Sequence, residues 1–388
     1  MLILVSAYLL RCGIGIGHYL YFFTPNYFDD PSFFAYLWDY QWMHESMILV
    51  HDTWLRQGFL TPLPESFWEL SKNATLMAYN GLLYYLTGIN TLNLAPWNSL
   101  HSMYTAAIVG MLALKLGCRR DQAVIALALA AFQPFGMISS TFARDFVGQS
   151  WVALAVLLVI ATAHRPTLWA VVLPAAGFLA YCQRQPYLAI IIVGTVLTWL
   201  FGRRQQRSNA LYLWAVLIAI GAFVAREGLL GLAFARFEGV GAYGVQRLFV
   251  LPFLMLRGIM GPFPWSQVFD DVPGWEFMPV DFLQHVLNLA VMVCALPVAY
   301  RLWRQDLRMD AGFIFWVMFW MSGVIATGVH SGYVSIGMVF LYPLAAQAGH
   351  AKLRSALLVS ILFFGACNSL YWLAGLKGSK IIMSITGY

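Results

Sequence analysis

Apolar residues run along this chain in long blocks, broken by short polar or basic stretches. Eleven blocks can be drawn, at roughly 1–23, 97–117, 121–139, 149–163, 166–182, 186–201, 209–225, 281–300, 311–329, 332–349 and 355–376. About 20 mostly apolar residues cross a bilayer as a helix, so each block predicts one crossing, the shorter ones completed by flanking residues. Between the first two blocks the pattern changes. Residues 31–58 place Phe34, Leu37, Trp38, Trp42, Met47, Val50, Trp54 and Leu55 at near-helical spacing among polar residues. That spacing predicts a Trp-rich amphipathic helix lying in the membrane interface. Residues 75–88 predict a second, partly inserted helix. No internal repeat, low-complexity tract or soluble domain interrupts the pattern. The expected fold is all-α, a single transmembrane domain over 1–388 with about eleven membrane helices.

Composition agrees with that reading. Of 388 residues, 61% are hydrophobic and 10% charged, against about 45–50% and 25% in soluble domains, and the mean hydropathy is +0.70. Soluble enzymes, DNA-binding modules and disordered tails are excluded. The net charge of +6 comes from basic residues scattered between apolar blocks, with no phosphate-tracking stripe, so no nucleic-acid partner is expected.

Their placement orients the chain. One face collects twelve basic residues, among them Lys115, Arg119, Arg120, Arg165, Arg203, Arg301, Lys352 and Arg354, and three acidic ones. The other collects ten basic and fourteen acidic residues, and Arg11 stands alone inside the first block. Short basic loops mark the cytoplasmic side. The amino terminus is then cytoplasmic, and segments 24–96 and 226–280 face outward from a plasma membrane, the inner membrane of a bacterium. The first block lacks a basic leader and a small-residue cleavage site, so a retained helix is expected. Cys12, Cys118, Cys182, Cys294 and Cys367 show no metal or disulfide spacing. The sequon at Asn73 faces outward, where it matters only in a glycosylating host.

Ionisable residues at membrane depth are functional candidates by default, and here they gather at the outward ends of the blocks. Asp29 and Asp30 directly follow the first block and precede Pro31. They suit a general base or a divalent-cation site, and equally a helix cap. Arg144 and Asp145 lie between blocks three and four: the guanidinium suits a phosphate, or the two form an internal pair. Arg184 sits in a tight outward turn, where snorkelling is the alternative. Arg257 and Trp265 belong to a proline-containing stretch, LMLRGIMGPFPWSQVFDD, that fits a cavity lining or a plain outer loop. His330, with Tyr333 behind it, and His101 suit sugar or phosphate contacts, or serve as polar anchors. No GxxxxGK[ST], HExxH or GxSxG is present, which argues against ATPase, zinc protease and hydrolase chemistry.

This layout resembles the GT-C superfamily of polytopic glycosyltransferases, which use lipid-phosphate-linked sugars. The likeness rests on the acidic pair after helix one, the long outer first loop and the outer arginines. ARDFVGQSWVALAVLLV looks like the start of helix four in bacterial members, GIMGPFPW like their late outer loop, and GYVSIGMVFLYPLAA stands where they carry an RY-like stretch. Two departures are plain: the acidic pair is DD rather than D-x-D or DE, and His330 and Tyr333 replace an Arg-Tyr pair. The same features resemble EpsG/Wzy-like polysaccharide polymerases, whose helix-four motif carries Arg-Gln instead of Arg-Asp.

The resemblance implies a polyprenyl-(pyro)phosphate sugar donor, a glycan or lipid-linked acceptor, and contact with membrane lipids. It casts Asp29 or Asp30 as catalytic base, with a divalent cation (Mg or Mn) as an optional cofactor on the same pair. Arg144, Arg184 and Arg257 would hold the donor phosphate, and Asp145, His330, Tyr333, Trp265 and His101 would line the substrate. Three alternatives stand beside it: a repeat-unit polymerase, a non-catalytic lipid-linked-sugar transporter or flippase, and a non-catalytic scaffold in a glycan assembly complex. Internal repeats and discontinuous helices would favour transport, and the sequence displays neither.

Overall fold

The computed structural model describes residues 1–26, 38–70, 74–134, 144–162, 165–183, 185–202, 278–305, 315–317 and 336–373. Among these the protein is all-helical, with no strand. The helices are α1 (Leu2–Asn26), α2 (Trp38–Gln57), α3 (Glu65–Leu70), α4 (Ala74–Thr87), α5 (Leu94–Lys115) and α6 (Arg120–Ala131). They continue with α7 (Arg144–Thr162), α8 (Trp169–Gln183), α9 (Gln185–Gly202), α10 (Met278–Gln305), α11 (Tyr342–Gln347) and α12 (His350–Leu373). Segments Phe282–Arg301 of α10 and His350–Cys367 of α12 are long and apolar enough to cross a membrane. The predicted crossing at 209–225 lies outside the described residues, as does most of that at 311–329.

The main bundle is built on close contact. α5 packs against α6, α7 and α1, α8 against α7 and α9, and α10 against α11 and α12. Its core is rich in alanine, with Ala106, Ala113, Ala126, Ala131, Ala153, Ala155, Ala176, Ala180, Ala290 and Ala295 all buried. Small side chains let helix backbones approach, which is how helices associate when lipid is the surrounding solvent. Apolar residues elsewhere point outward, including Leu358, Val359 and Leu362 on α12 and Leu9 on α1.

Two predicted crossings come out differently, and proline accounts for both. The block at 121–139 is expected as one helix, yet α6 stops at Ala131. Pro134 has no N–H to return to Ala130, four residues back, and its ring crowds that carbonyl. The block at 332–349 is likewise interrupted. Residues 336–338 are helical, Val339–Leu341 form a turn, and α11 begins at Tyr342. Pro343 leaves the Val339 carbonyl without its helical partner, and tighter bonds replace the ladder, from Phe340 N–H to Gly337 and from Leu341 N–H to Met338. Proline alone does not dictate a break, since Pro174 and Pro297 sit inside continuous α8 and α10.

The amphipathic segment forms its helix, but with a protein partner. Met43, Met47, Val50 and Trp54 of α2 are buried, and α2 packs along α4 as a hairpin. Of the stripe residues whose side chains are described, Met47, Val50 and Trp54 are therefore spent on packing within the protein, and Leu55 stays exposed.

Candidate functional site

A layer of buried polar side chains crosses the bundle at the level of His101. On α5, His101 and Ser102 are neighbours in sequence and face different helices. His101 Nε2 lies 2.8 Å from the Tyr79 hydroxyl on α4, and its Nδ1 lies 3.1 Å from Ser150 Oγ on α7. An imidazole has one donor and one acceptor nitrogen when neutral, so the three groups make a continuous hydroxyl–imidazole–hydroxyl chain. Aromatic rings enclose it: Tyr79 contacts Trp97, Trp151 and His101 at centroid distances of 5.4, 5.3 and 5.3 Å.

Ser102 faces the other way, to α1. Its Oγ accepts from Arg11 Nη1 at 3.2 Å. Arg11 is buried, and its remaining donors go to the end of α6: Nε to the Ala131 carbonyl at 3.0 Å, and Nη2 to Ala131 at 2.9 Å and Ala130 at 3.4 Å. Where the helix ends, Arg11 takes over the Ala131 carbonyl, while the Ala130 carbonyl is shared with the Gln133 N–H at 3.5 Å. A guanidinium at a helix C-terminus also meets the negative end of the helix dipole. Pro134 and Arg11, 123 positions apart in sequence, thus form one device, a helix stopped short and its terminus closed by a buried cation.

The layer continues on the remaining helices. Gln149 Nε2 on α7 donates to the Ile336 carbonyl at 3.4 Å. The Gln183 amide on α8 fills the space that a side chain on Gly148 would occupy, which is why glycine stands there. On α10, Gln284 Nε2 donates to Asn288 Oδ1 at 2.7 Å, near the buried Tyr342 of α11.

Of the residues singled out from the sequence, His101 is the one whose side chain is described, and it is a member of this layer. Arg144 and Asp145 form the first turn of α7. This is about 9 Å from Ser150 at 1.5 Å per residue. Asp29, Asp30, Arg184, Arg257, Trp265, His330 and Tyr333 lie outside the described residues. Among the described residues no group of three or more His, Cys, Asp or Glu is gathered to hold a metal ion. The donors expected for a divalent cation, Asp29 and Asp30, lie outside that set.

Comparisons with protein-family models, with curated proteins and with solved structures gave no match. The chemistry of the site therefore rests on its own residues. Sequence reasoning noticed Arg11 as the lone charge of the first block but gave it no partner. The signal that finds one is Pro134, a helix breaker inside an apolar block. Tyr79 and Ser150 carry no such mark, since a tyrosine and a serine in apolar stretches are unremarkable until the helices meet.

Proposed function

We propose that this chain is a membrane-embedded glycosyltransferase of GT-C-like organisation, with about eleven crossings, its amino terminus in the cytoplasm and its active site facing outward. The reaction is a single displacement, probing one bond at the anomeric carbon of a polyprenyl-(pyro)phosphate sugar. The acceptor hydroxyl oxygen forms the new bond, the bond to the phosphate oxygen breaks, and the configuration inverts. Asp29 or Asp30 takes the hydroxyl proton. Arg144, Arg184 and Arg257 stabilise the charge growing on the leaving phosphate, more strongly in a partly dehydrated site than in water. A divalent cation held by the acidic pair would supply further charge stabilisation there.

The observation that supports this reading most directly is the start of α7. Arg144 and Asp145 open the helix, and about two turns further on the same helix enters the buried Tyr79–His101–Ser150 chain. A charged end above an uncharged, hydrogen-bonded layer is what a site at the membrane boundary needs. Headgroup chemistry stays at the rim, and the layer below holds the helices in register.

A second reading, a carrier for lipid-linked sugars, is favoured by a different observation. Broken helices and polar groups near the midplane characterise transporters, and here α6 stops at Ala131, the 336–347 segment breaks at Val339–Leu341, and Arg11 is buried between them. Mass spectrometry of the polyprenyl-linked glycan pool in cells lacking the protein separates the readings. Repeats short by one sugar, or polymer lacking one decoration, identify single-sugar transfer. Complete repeats without polymer identify a polymerase where the repeats have reached the outer leaflet, and a carrier where they stay on the cytoplasmic one. A normal pool with normal polymer overturns both, and intact wild-type product in an Asp29→Asn, Asp30→Asn double variant overturns the carboxylate base.

A further inference from the structure

Between α2 and α3 the chain turns tightly and presents large apolar side chains outward. Gly58, at φ +104°, ends α2, with its N–H bonded to the Trp54 carbonyl at 3.1 Å. The Thr61 N–H then bonds the Gly58 carbonyl at 3.2 Å and closes a turn with Phe59 and Leu60 at its centre. Leu60 stands at φ +65°, a left-handed conformation at a turn position that ordinarily selects glycine. Strained backbone of this kind persists where its surroundings fix it. Two side-chain bonds do so here: Trp54 Nε1 donates to the Thr61 carbonyl at 3.1 Å, and Thr61 Oγ1 to the Gly58 carbonyl at 2.8 Å.

The turn is also tied to the approach to α5. Phe59 stacks on Tyr85 in the last turn of α4, the ring centroids 5.3 Å apart and the planes 14° from parallel, and Trp54 meets both rings edge-on. From there Gly88 and a short 3-10 turn lead into α5, and Asn93 Nδ2 closes that connection on Thr87 Oγ1 at 2.8 Å. At this end of the hairpin Leu55, Phe59, Leu60 and Leu86 are each more than half exposed. On α5 itself Leu100, Tyr104, Met111 and Leu114 are exposed, and their spacing puts them on one face, as for a helix side turned to lipid.

We infer that Leu55, Phe59 and Leu60 form a fixed wedge that enters the lipid of the outer leaflet and seats the α2–α4 hairpin on the membrane. Exposed apolar side chains gathered in one patch mark such contact surfaces, and a turn already locked in place loses little freedom on insertion. Lipid is the occupant that fits. The polar side chains of the turn, Trp54 and Thr61, are bonded within it, so the patch offers apolar surface without the directional bonds a protein interface uses. Charge stays beside it, where Arg56 pairs with Asp52 at 3.6 Å on the adjoining side of α2. Contact with lipid thus passes from the apolar stripe of α2, spent on packing, to the turn that follows it. The inference rests on the membrane topology proposed above.

The test puts the photoreactive residue p-benzoylphenylalanine in place of Leu60 in the full chain, reconstituted in phosphatidylcholine liposomes, and reads the intact mass after irradiation. The expected result is a gain of one phosphatidylcholine, several-fold more abundant than with the same probe at Glu45, an exposed and charged position on the same helix. The probe at Leu362, exposed on α12, reports on the membrane reading by itself. Lipid adducts at Leu362 with none at Leu60 overturn the wedge alone, as does a covalent dimer formed from Leu60. Equal lipid adducts at Leu60 and Glu45 also overturn it, because the contact would then not belong to the turn. No lipid adduct at Leu362 overturns the membrane reading and the wedge with it.

Discussion

The protein contains two cores that hold together by different means. The main bundle joins its helices through alanine contacts and buried hydrogen bonds, among them those of Arg11, His101 and Gln149. The α2–α4 hairpin has its own cluster of Met43, Val50, Trp54, Phe67, Leu76 and Met77. It packs large apolar side chains against each other, as a water-soluble domain does. On its other side, α2 carries Asp52 with His51 at 2.9 Å and Arg56 at 3.6 Å. Lipid is as apolar as leucine, so burying leucine gives membrane helices little reason to associate, and small residues and polar bonds take over. Where water is near, the hydrophobic effect returns as the main term. The bundle should therefore be most sensitive to lost hydrogen bonds, and the hairpin to changes in volume.

The largest effect expected is at Arg11. Arg11→Met keeps much of the stem but removes every donor, leaving the buried Ala131 carbonyl without its side-chain partner and the Ala130 carbonyl and Ser102 with only their local bonds to the Gln133 N–H and the Asn98 carbonyl. An unsatisfied buried acceptor costs about 1–3 kcal/mol and a lost bond to a charged group about 1.5–3 kcal/mol, so a loss of about 3 kcal/mol is expected, read as a drop in the thermal midpoint in detergent. Arg11→Lys should rescue little, because an ammonium cannot span two carbonyls and a hydroxyl in the fixed fork of a guanidinium. Near-wild-type stability in Arg11→Met would erase the contrast between the cores.

These same residues show what the sequence could and could not reveal. Hydropathy found the helices: α1, α5, α9 and α12 fall within a few residues of the predicted blocks. It misplaced the start of α7, because Arg144, Asp145, Gln149 and Ser150 are polar yet helical, and it overran α6, because hydropathy does not register that Pro134 interrupts the ladder of backbone bonds. The periodicity of α2 was legible, but not its partner. An apolar stripe looks alike whether it meets lipid or another helix, and only the placement of Gly81 opposite Val50 separates the two. Of the site, His101 was recognisable as a polar residue in an apolar block. Its bonds to Tyr79 and Ser150 depend on helix packing that no local pattern encodes.

A smaller effect, confined to the hairpin, is expected at Gly81. A Cβ there would stand 2.6 Å from Val50 Cβ, closer than side chains tolerate, so α4 must move off α2. Gly81→Ala should cost about 1–3 kcal/mol, the range for overpacking a filled core. Val50→Ala should be less harmful in the Gly81→Ala background than alone, because it removes the colliding atoms, a coupling that a double-mutant cycle measures. Hydrogen exchange should localise the loss to the amides of α2 and α4. Equal loss of protection in α5 and α7 would mean that hairpin and bundle are one cooperative unit.

The smallest effect is a pH dependence that the hairpin has through His44. Its Nδ1 lies 3.0 Å from the Tyr84 hydroxyl, with the two rings edge-on at 5.7 Å. Burial pushes the imidazole below its ordinary value of 6.5, partly opposed by the adjacent Glu45. Once the hairpin opens, the imidazole regains the ordinary value, so the open form binds a proton more readily than the closed one. The contribution is present in full above that value and is lost as the pH falls through it. Protection of α2 and α4 amides, corrected for intrinsic exchange, should therefore fall between pH 8 and pH 5, and His44→Gln should flatten the dependence. A slope that survives unchanged in His44→Gln would mean that the buried imidazole is not its source, and with it would go the link between the packing of α2 against α4 and acid.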